Sequence, residues 1–247
     1  KEEAGDSINI TPSNLKSLIG KTSFAMGNQD WRHYLNGLYL FVEDTVITSV
    51  ATDAHRLAMA TLPLNEGVQE QITGIVPRKS INEIGKLVGD SSENVVLKLG
   101  PSSIIVDISG TTFASKLIEG KFPDYEQVIP SGDSSTLSIN RKLFSESLSR
   151  VSVLSSEKFR GVRIITSDNS INISANNPEK EQAEESIECS YSGEATDIAF
   201  NVNYIQEILS SIDDDSVEIH FFGSNKSCLI TSPGSESFKY VVMPLLI

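Results

Sequence analysis

An α+β fold of two pseudo-symmetric domains, each with two helices on one face packed on antiparallel sheets, is predicted by three features of this sequence. A short strand, a helix and a hairpin recur four times, and lining up Ile10, Val76, Ile139 and Phe200 gives intervals of 66, 63 and 61 residues. One such module is too small to bury a core of its own, so the modules are expected to pair. Between the second and third modules runs Ile129-Pro130-Ser131-Gly132-Asp133-Ser134-Ser135, a polar stretch with Gly and Pro that reads as a seam. The domains are therefore expected at 1–129 and 130–247.

The leading strands are expected at 8–12, 75–77, 137–140 and 198–201, each running into a helix. Within the segments 11–26, 77–89, 140–155 and 201–212 apolar residues recur with a 3.6-residue period: Leu15, Leu18 and Ile19; Ile81 and Ile84; Phe144 and Leu148; Ile205, Ile208 and Leu209. Thr11-Pro12, Asn140 and Asn201 mark the starts, because each offers a capping side chain or a first-turn proline. Hairpins follow. Strands 39–42 and 46–50 flank Glu43-Asp44-Thr45, and 95–99 and 104–108 flank Gly100-Pro101-Ser102. Strands 162–166 and 171–174 flank Ser167-Asp168-Asn169-Ser170, and 217–222 and 228–231 flank Gly223-Ser224-Asn225-Lys226. A third strand closes each module at 56–62, 112–117, 186–191 and 238–244.

Composition restricts the function classes. No apolar run approaches the roughly 18 residues that a membrane helix needs, and residues 1–6 are polar, unlike a signal peptide. Cys189 and Cys228 have neither metal spacing nor disulfide density, which suits a reducing cytoplasm. A net charge of −13 argues, taken alone, against a nucleic-acid partner. The charge is unevenly distributed, however: the four helix segments carry +5 and the remainder −18. Such a separation lets one face attract a polyanion that the rest repels, although Lys and Arg are also ordinary occupants of solvated helix faces.

Specific residues then point to a family. Thr52-Asp53-Ala54-His55-Arg56-Leu57-Ala58, Phe122-Pro123-Asp124-Tyr125, Glu157-Lys158-Phe159-Arg160-Gly161-Val162-Arg163, Ala175-Asn176-Asn177-Pro178-Glu179 and Tyr240-Val241-Val242-Met243-Pro244 strongly resemble the bacterial sliding clamp, the beta subunit of DNA polymerase III. The resemblance runs the length of the chain, in order, and covers the middle and C-terminal domains of a three-domain family, with the N-terminal domain absent.

The resemblance implies a DNA-clamp fold and a processivity factor of bacterial chromosomal replication. In the family a homodimeric ring encircles duplex DNA without reading its sequence. The basic residues that would face DNA are Lys16, Lys21, Arg78, Lys79, Lys86, Arg141, Lys142 and Arg150. Loose phosphate contact permits sliding, whereas base readout would arrest it. The resemblance also implies a groove between the middle and C-terminal domains that accepts a short peptide, typically Gln followed by Leu and Phe. Such motifs are carried by the replicative polymerase catalytic subunit, the clamp loader, repair polymerases and mismatch-repair proteins. Positions matching the groove are Leu35, Thr52, His55, Arg56, Leu57, Pro123, Val128, Phe159, Asn201, Tyr204, Ser227, Val241, Val242, Met243 and Pro244. Aliphatic and Met side chains there can repack around Leu and Phe anchors. From the residues alone, Leu57, Val241 and Val242 read first as strand core.

The chain departs from the family at Ala54, where Gly is common, at Gln127, where a basic residue is frequent, and in the ending Leu245-Leu246-Ile247, where an Arg commonly precedes the last residue. These changes bear on peptide preference. Without the N-terminal domain the family's ring is not expected to close, and a monomer is expected.

Asp53 and His55 could be assembled on paper into an acid-base site. The sequence lacks a Gly-rich phosphate loop, a strained nucleophile motif and a His or Cys pair at metal spacing. The run Glu179, Glu181, Glu184, Glu185 and Glu188 reads as a solvated acidic edge rather than a cation site. No catalysis, cofactor, metal or membrane partner is expected, and the location expected is cytoplasmic.

Overall fold

The computed structural model describes residues 7–89, 93–158 and 160–246. The chain divides into two compact units, one reaching Tyr125 and the other beginning at Glu126, a few residues ahead of the expected seam.

In unit 1 the order is β1 (Ser7–Ile10), α1 (Pro12–Thr22), β2 (Gly37–Glu43), β3 (Val46–Thr52), β4 (Arg56–Pro63), β5 (Ile72–Pro77), α2 (Arg78–Val88), β6 (Val95–Leu99), β7 (Ser103–Ile108) and β8 (Thr111–Lys116). The strands do not pair module by module. The leading strand β1 joins the hairpin of the second module, giving β1-β6-β7-β8, and β5 joins the first, giving β4-β3-β2-β5. Each module thus lends its first strand to its neighbour. The close β2–β5 approach requires Gly37, where a Cβ would stand 2.6 Å from the Val76 carbonyl oxygen. Ser109 and Gly110, both at positive φ, turn β7 into β8.

Unit 2 repeats the scheme with β9 (Ser135–Asn140), α3 (Arg141–Val151), β10 (Gly161–Ser167), β11 (Ser170–Asn176), β12 (Gln182–Glu188), β13 (Ser190–Ser192), β14 (Asp197–Asn201), α4 (Val202–Ser211), β15 (Ser216–Phe221), β16 (Cys228–Thr231) and β17 (Phe238–Val242). Here β9 pairs with β15 and β14 with β10, again exchanging leading strands. The closing strand expected at 186–191 is two strands: β12 pairs with β11, and β13 with β9. The Cys189 N–H donates to the Asn169 carbonyl at the break, where the chain passes from one sheet to the other.

The caps follow the sequence. Thr11, Asn140 and Asn201 accept from the backbone N–H of Asn14, Leu143 and Asn203 respectively. α1 buries Pro12, Leu15, Leu18 and Lys21, and α3 buries Phe144, Leu148 and Val151. Full burial of a Leu or Phe contributes about 1.5–3 kcal/mol each. Hydroxyls tie α1 to β3, as Thr22 Oγ1 and Ser49 Oγ both reach the Leu18 carbonyl. In unit 2, Gln206 of α4 bonds Ser145 and Ser149 of α3. Among the described residues, no helix is long and apolar enough to cross a membrane.

Candidate functional site

The unit 1 residues singled out above centre on the turn between β3 and β4, which is built around one carboxylate. Asp53 Oδ1 accepts from the backbone N–H of His55 and Arg56, at 3.0 and 3.1 Å, and Oδ2 accepts from Arg56 Nε at 3.1 Å. Thr52 Oγ1 donates to the Arg56 carbonyl and accepts from the Ala54 N–H. This self-bonded turn holds Ala54 at φ 75°, the left-handed region that Gly enters without cost. Because Asp53 receives the His55 backbone and not its ring, the paper acid-base pair does not exist in this geometry. Arg56 is buried; its Nη2 donates to the Phe24 carbonyl and its guanidinium sits 5.4 Å from the Phe24 ring centroid. Thr52 and Leu57 face each other across the ladder, both buried, while His55 is exposed and Pro123 half-buried.

Beside this turn lies a loop formed by residues 27–36, of which Leu35 alone is among the expected docking positions. Asn36 accepts from the Asp30 N–H and donates to its carbonyl, and the Gly27 N–H donates to the carbonyl of Leu35, which is buried. Arg32 grips Asp30 through Nε and Nη2, at 3.0 and 2.8 Å, which lowers the Asp30 carboxyl pKa to about 2. Trp31, the only tryptophan, is 82% exposed beneath the Arg32 guanidinium. A lone Trp in the polar run Asn28-Gln29-Asp30 was the available signal.

In unit 2 the predicted residues fall on two segments. β17 pairs Val242 with Cys228 and Val241 with Leu229, so Val241 and Val242 are buried and Ser227 sits half-buried at the mouth of β16. Beyond β17 the chain emerges: Met243 is 47% exposed, and the Leu245 N–H returns to the Ala199 carbonyl at 2.8 Å. Asn201 and Tyr204, at the start of α4, are half-buried, and Val128 is exposed. Phe159 lies outside the described residues.

The basic residues separate into two groups. Lys16, Lys79, Lys86 and Lys142 are exposed on their helices, Lys86 beside Glu83 at 2.9 Å and Lys142 within 3.9 Å of Glu146. Arg78, Arg141 and Arg150 have structural bonds: Arg78 Nη1 donates to the Met26 carbonyl, Arg141 to the carbonyls of Asp214 and Leu209, and Arg150 to both oxygens of Glu185. The guanidinium beside it lowers the Glu185 pKa. Lys21 departs from expectation. It is buried because it continues the Pro12, Leu15, Leu18 spacing along the packed stripe of α1.

The acidic run along and just before β12 is engaged internally, Glu185 by Arg150, Glu184 by Asn172 and Glu181 by Asn177. Among the described residues no cluster of His, Cys, Asp and Glu could hold a metal ion. Burial pushes the Cys228 thiol up to about 12, so it stays protonated and unreactive at neutral pH.

Comparison with known proteins places both units. Residues 9–124 match the family model of the DNA polymerase III beta subunit, central domain, and residues 126–246 that of the C-terminal domain. The beta sliding clamp of Vibrio cholerae is 42% identical over 239 residues, 96% of this chain and 65% of that protein. The chain thus spans a little under two thirds of that relative's length. The beta sliding clamp of Pseudomonas aeruginosa is 42% identical over 246 residues, 99% of this chain and 67% of that one. A crystal structure of the P. aeruginosa sliding clamp bound to griselimycin matches with a TM-score of 0.97 at 40% identity, over 100% of this chain and 67% of that chain. The C. crescentus beta sliding clamp matches with a TM-score of 0.94 at 34% identity.

Proposed function

This chain belongs to the DNA polymerase III beta-subunit family, the bacterial sliding clamps, and from that premise we propose that it forms the peptide-docking and part of the DNA-holding portion of a replication processivity factor. The observation that carries the reading is the match of both family domains, in order, over nearly the whole chain. Three further features support it.

First, exposed lysines recur on three of the four helices, Lys16 on α1, Lys79 and Lys86 on α2 and Lys142 on α3. Flexible point charges suit sequence-independent phosphate contact, which holds duplex DNA without registering on it. The −18 carried outside the helix segments opposes DNA binding elsewhere. Secondly, each unit couples a buried aliphatic base to accessible groups: Leu57 beneath His55 in unit 1, Val241 and Val242 beneath Met243 in unit 2. Such surfaces seat Leu and Phe anchors while the polar groups take the peptide backbone and Gln. Replicative and repair polymerases, the clamp loader and mismatch-repair proteins are the partners this assigns. Thirdly, Asp53 is committed to its own turn, in keeping with an accessory subunit that performs no chemistry itself. Work on DNA as a homodimeric ring in the cytoplasm completes the reading, and the ring requires the family's remaining domain.

Charge reversal tests the DNA role. In a subunit carrying all three family domains, Lys16→Glu, Lys79→Glu and Lys142→Glu together should reduce clamp loading and processive synthesis several-fold at low salt, with the difference from the unmodified subunit shrinking as salt is raised. Processivity equal to the unmodified subunit would contradict it.

A further inference from the structure

The outer face of the sheet β12-β11-β10-β14 in unit 2 contains a cavity of 580 Å³ that none of the docking residues above lines. Strand register sets its floor. Gly161 lies opposite Asn201, Arg163 opposite both Ala199 and Ser174, and Asn176 opposite Gln182. Their neighbours Ile164 and Ile173 are buried on the other face of the same strands. Leu245 and Leu246 of the C-terminal segment form the remaining wall, Leu246 with 92% of its surface exposed.

Chemistry narrows the ligand. At Gly161 the missing side chain lets Leu245 pack directly on the strand, since a Cβ there would stand only 3.3 Å from Leu245 Cδ1, and Leu245 so held presents an aliphatic wall to the cavity. Asp197 fixes the Arg163 guanidinium through Nε and Nη2, which leaves its Nη1 donors without a partner among the described residues. The Ser174 hydroxyl and the Asn176 and Gln182 amides also line the cavity, with no side-chain bond among the described residues. Donors set along neighbouring strands beside an aliphatic wall fit an extended peptide, its carbonyls taken by Arg163, Asn176 and Gln182. Glu184 and Asp197 flank the cavity and disfavour a polyanion such as nucleic acid.

The cavity also continues from the docking residues of its own unit. Asn201 shares a register position with Gly161, and Pro244 leads directly into Leu245, which is pinned to Ala199. We propose that this cavity is a second peptide subsite, which seats an aliphatic residue of the partner segment flanking the short motif. The inference rests on the docking reading above and extends the footprint of the same partner.

The test compares four fluorescent peptides on the intact chain: a Gln-Leu-Phe type pentapeptide, the same peptide with Gly-Leu-Ser-Leu appended at its N- or its C-terminus, and Gly-Leu-Ser-Leu alone. One extended peptide should bind about tenfold tighter than the pentapeptide. Ser174→Phe, which fills the cavity, should abolish that gain and leave pentapeptide affinity unchanged, whereas Met243→Ala should weaken both. Should Ser174→Phe fail to fold by circular dichroism, Gln182→Ala serves instead, with a loss of about threefold confined to the extended peptide. Equal affinities of all motif peptides for the unmodified chain, or equal losses for short and extended peptides in Ser174→Phe, would overturn the subsite. Failure of the pentapeptide to bind would sink the docking reading alone, because the tetrapeptide at millimolar concentration decides the subsite independently. Shifts of the Gly161 and Gln182 amide resonances support it, and unmoved resonances reject it.

Discussion

The β3–β4 turn of unit 1 and the C-terminal segment of unit 2, both assigned to docking in the proposal above, are held in place by opposite means. Around Asp53 the turn satisfies its own backbone and the buried Arg56, so His55 is presented from a fixed frame. Beyond β17 the segment is anchored by the Leu245 bond to Ala199, with Met243 and Leu246 exposed. A frame fixed in advance lowers the ordering cost of binding, while Met adapts to anchors of different shape. Preorganisation favours particular motifs, and adaptability admits related ones.

The contrast can be broken most severely at its base. Leu57→Ala deletes a side chain that is 2% exposed and should destabilise the chain by about 3 kcal/mol, seen as a lower urea midpoint with an unchanged slope. Asp53→Ala comes next. It strips acceptors from two backbone N–H groups and from a buried guanidinium, and a loss of about 2 kcal/mol is expected; a neutral result would mean that the turn is not held by its carboxylate. Ala54→Gly sharpens the comparison instead. Relief of the positive φ is offset by the greater freedom of the unfolded chain, so stability should move by less than about 0.5 kcal/mol while peptide affinity falls as the frame loosens.

The smallest effect concerns pH. Arg32 holds Asp30 below its usual value, at about 2, so its contribution is present above the unfolded carboxyl value near 4 and is lost as pH falls through about 2. Trp31 fluorescence should report that local change with a midpoint near 2, and Asp30→Asn should remove the transition. A Trp31 signal that titrates identically in both proteins would dissociate the loop from its ion pair.

Much of this was legible in the sequence because it is local. The four-fold spacing, the apolar stripes and the caps at Thr11, Asn140 and Asn201 each depend on residues a few positions apart. The exchange of β1 and β5 between modules was not legible, since alternation fixes which face a strand buries but not which distant strand it meets. Similarly, nothing in 186–191 marks where the chain changes sheets. Lys21 could have been found, because it continues the three-residue spacing of a packed stripe, but its charge argued louder than its position. The backbone bonds of Arg78 and Arg141, each opening a helix, were not legible either, since the carbonyls they reach lie far away along the chain. For the docking residues, spacing could only identify Leu57, Val241 and Val242 as core; the family resemblance marked them as a base for something else.

Calorimetric titration of the intact chain and of its Met243→Ala variant with a Gln-Leu-Phe type peptide addresses the docking claim most directly. The account predicts saturable one-to-one binding that weakens about tenfold in the variant, with both proteins melting at the same temperature because Met243 is 47% exposed. Heat that never saturates at high micromolar peptide, or identical isotherms for the two proteins, would contradict it.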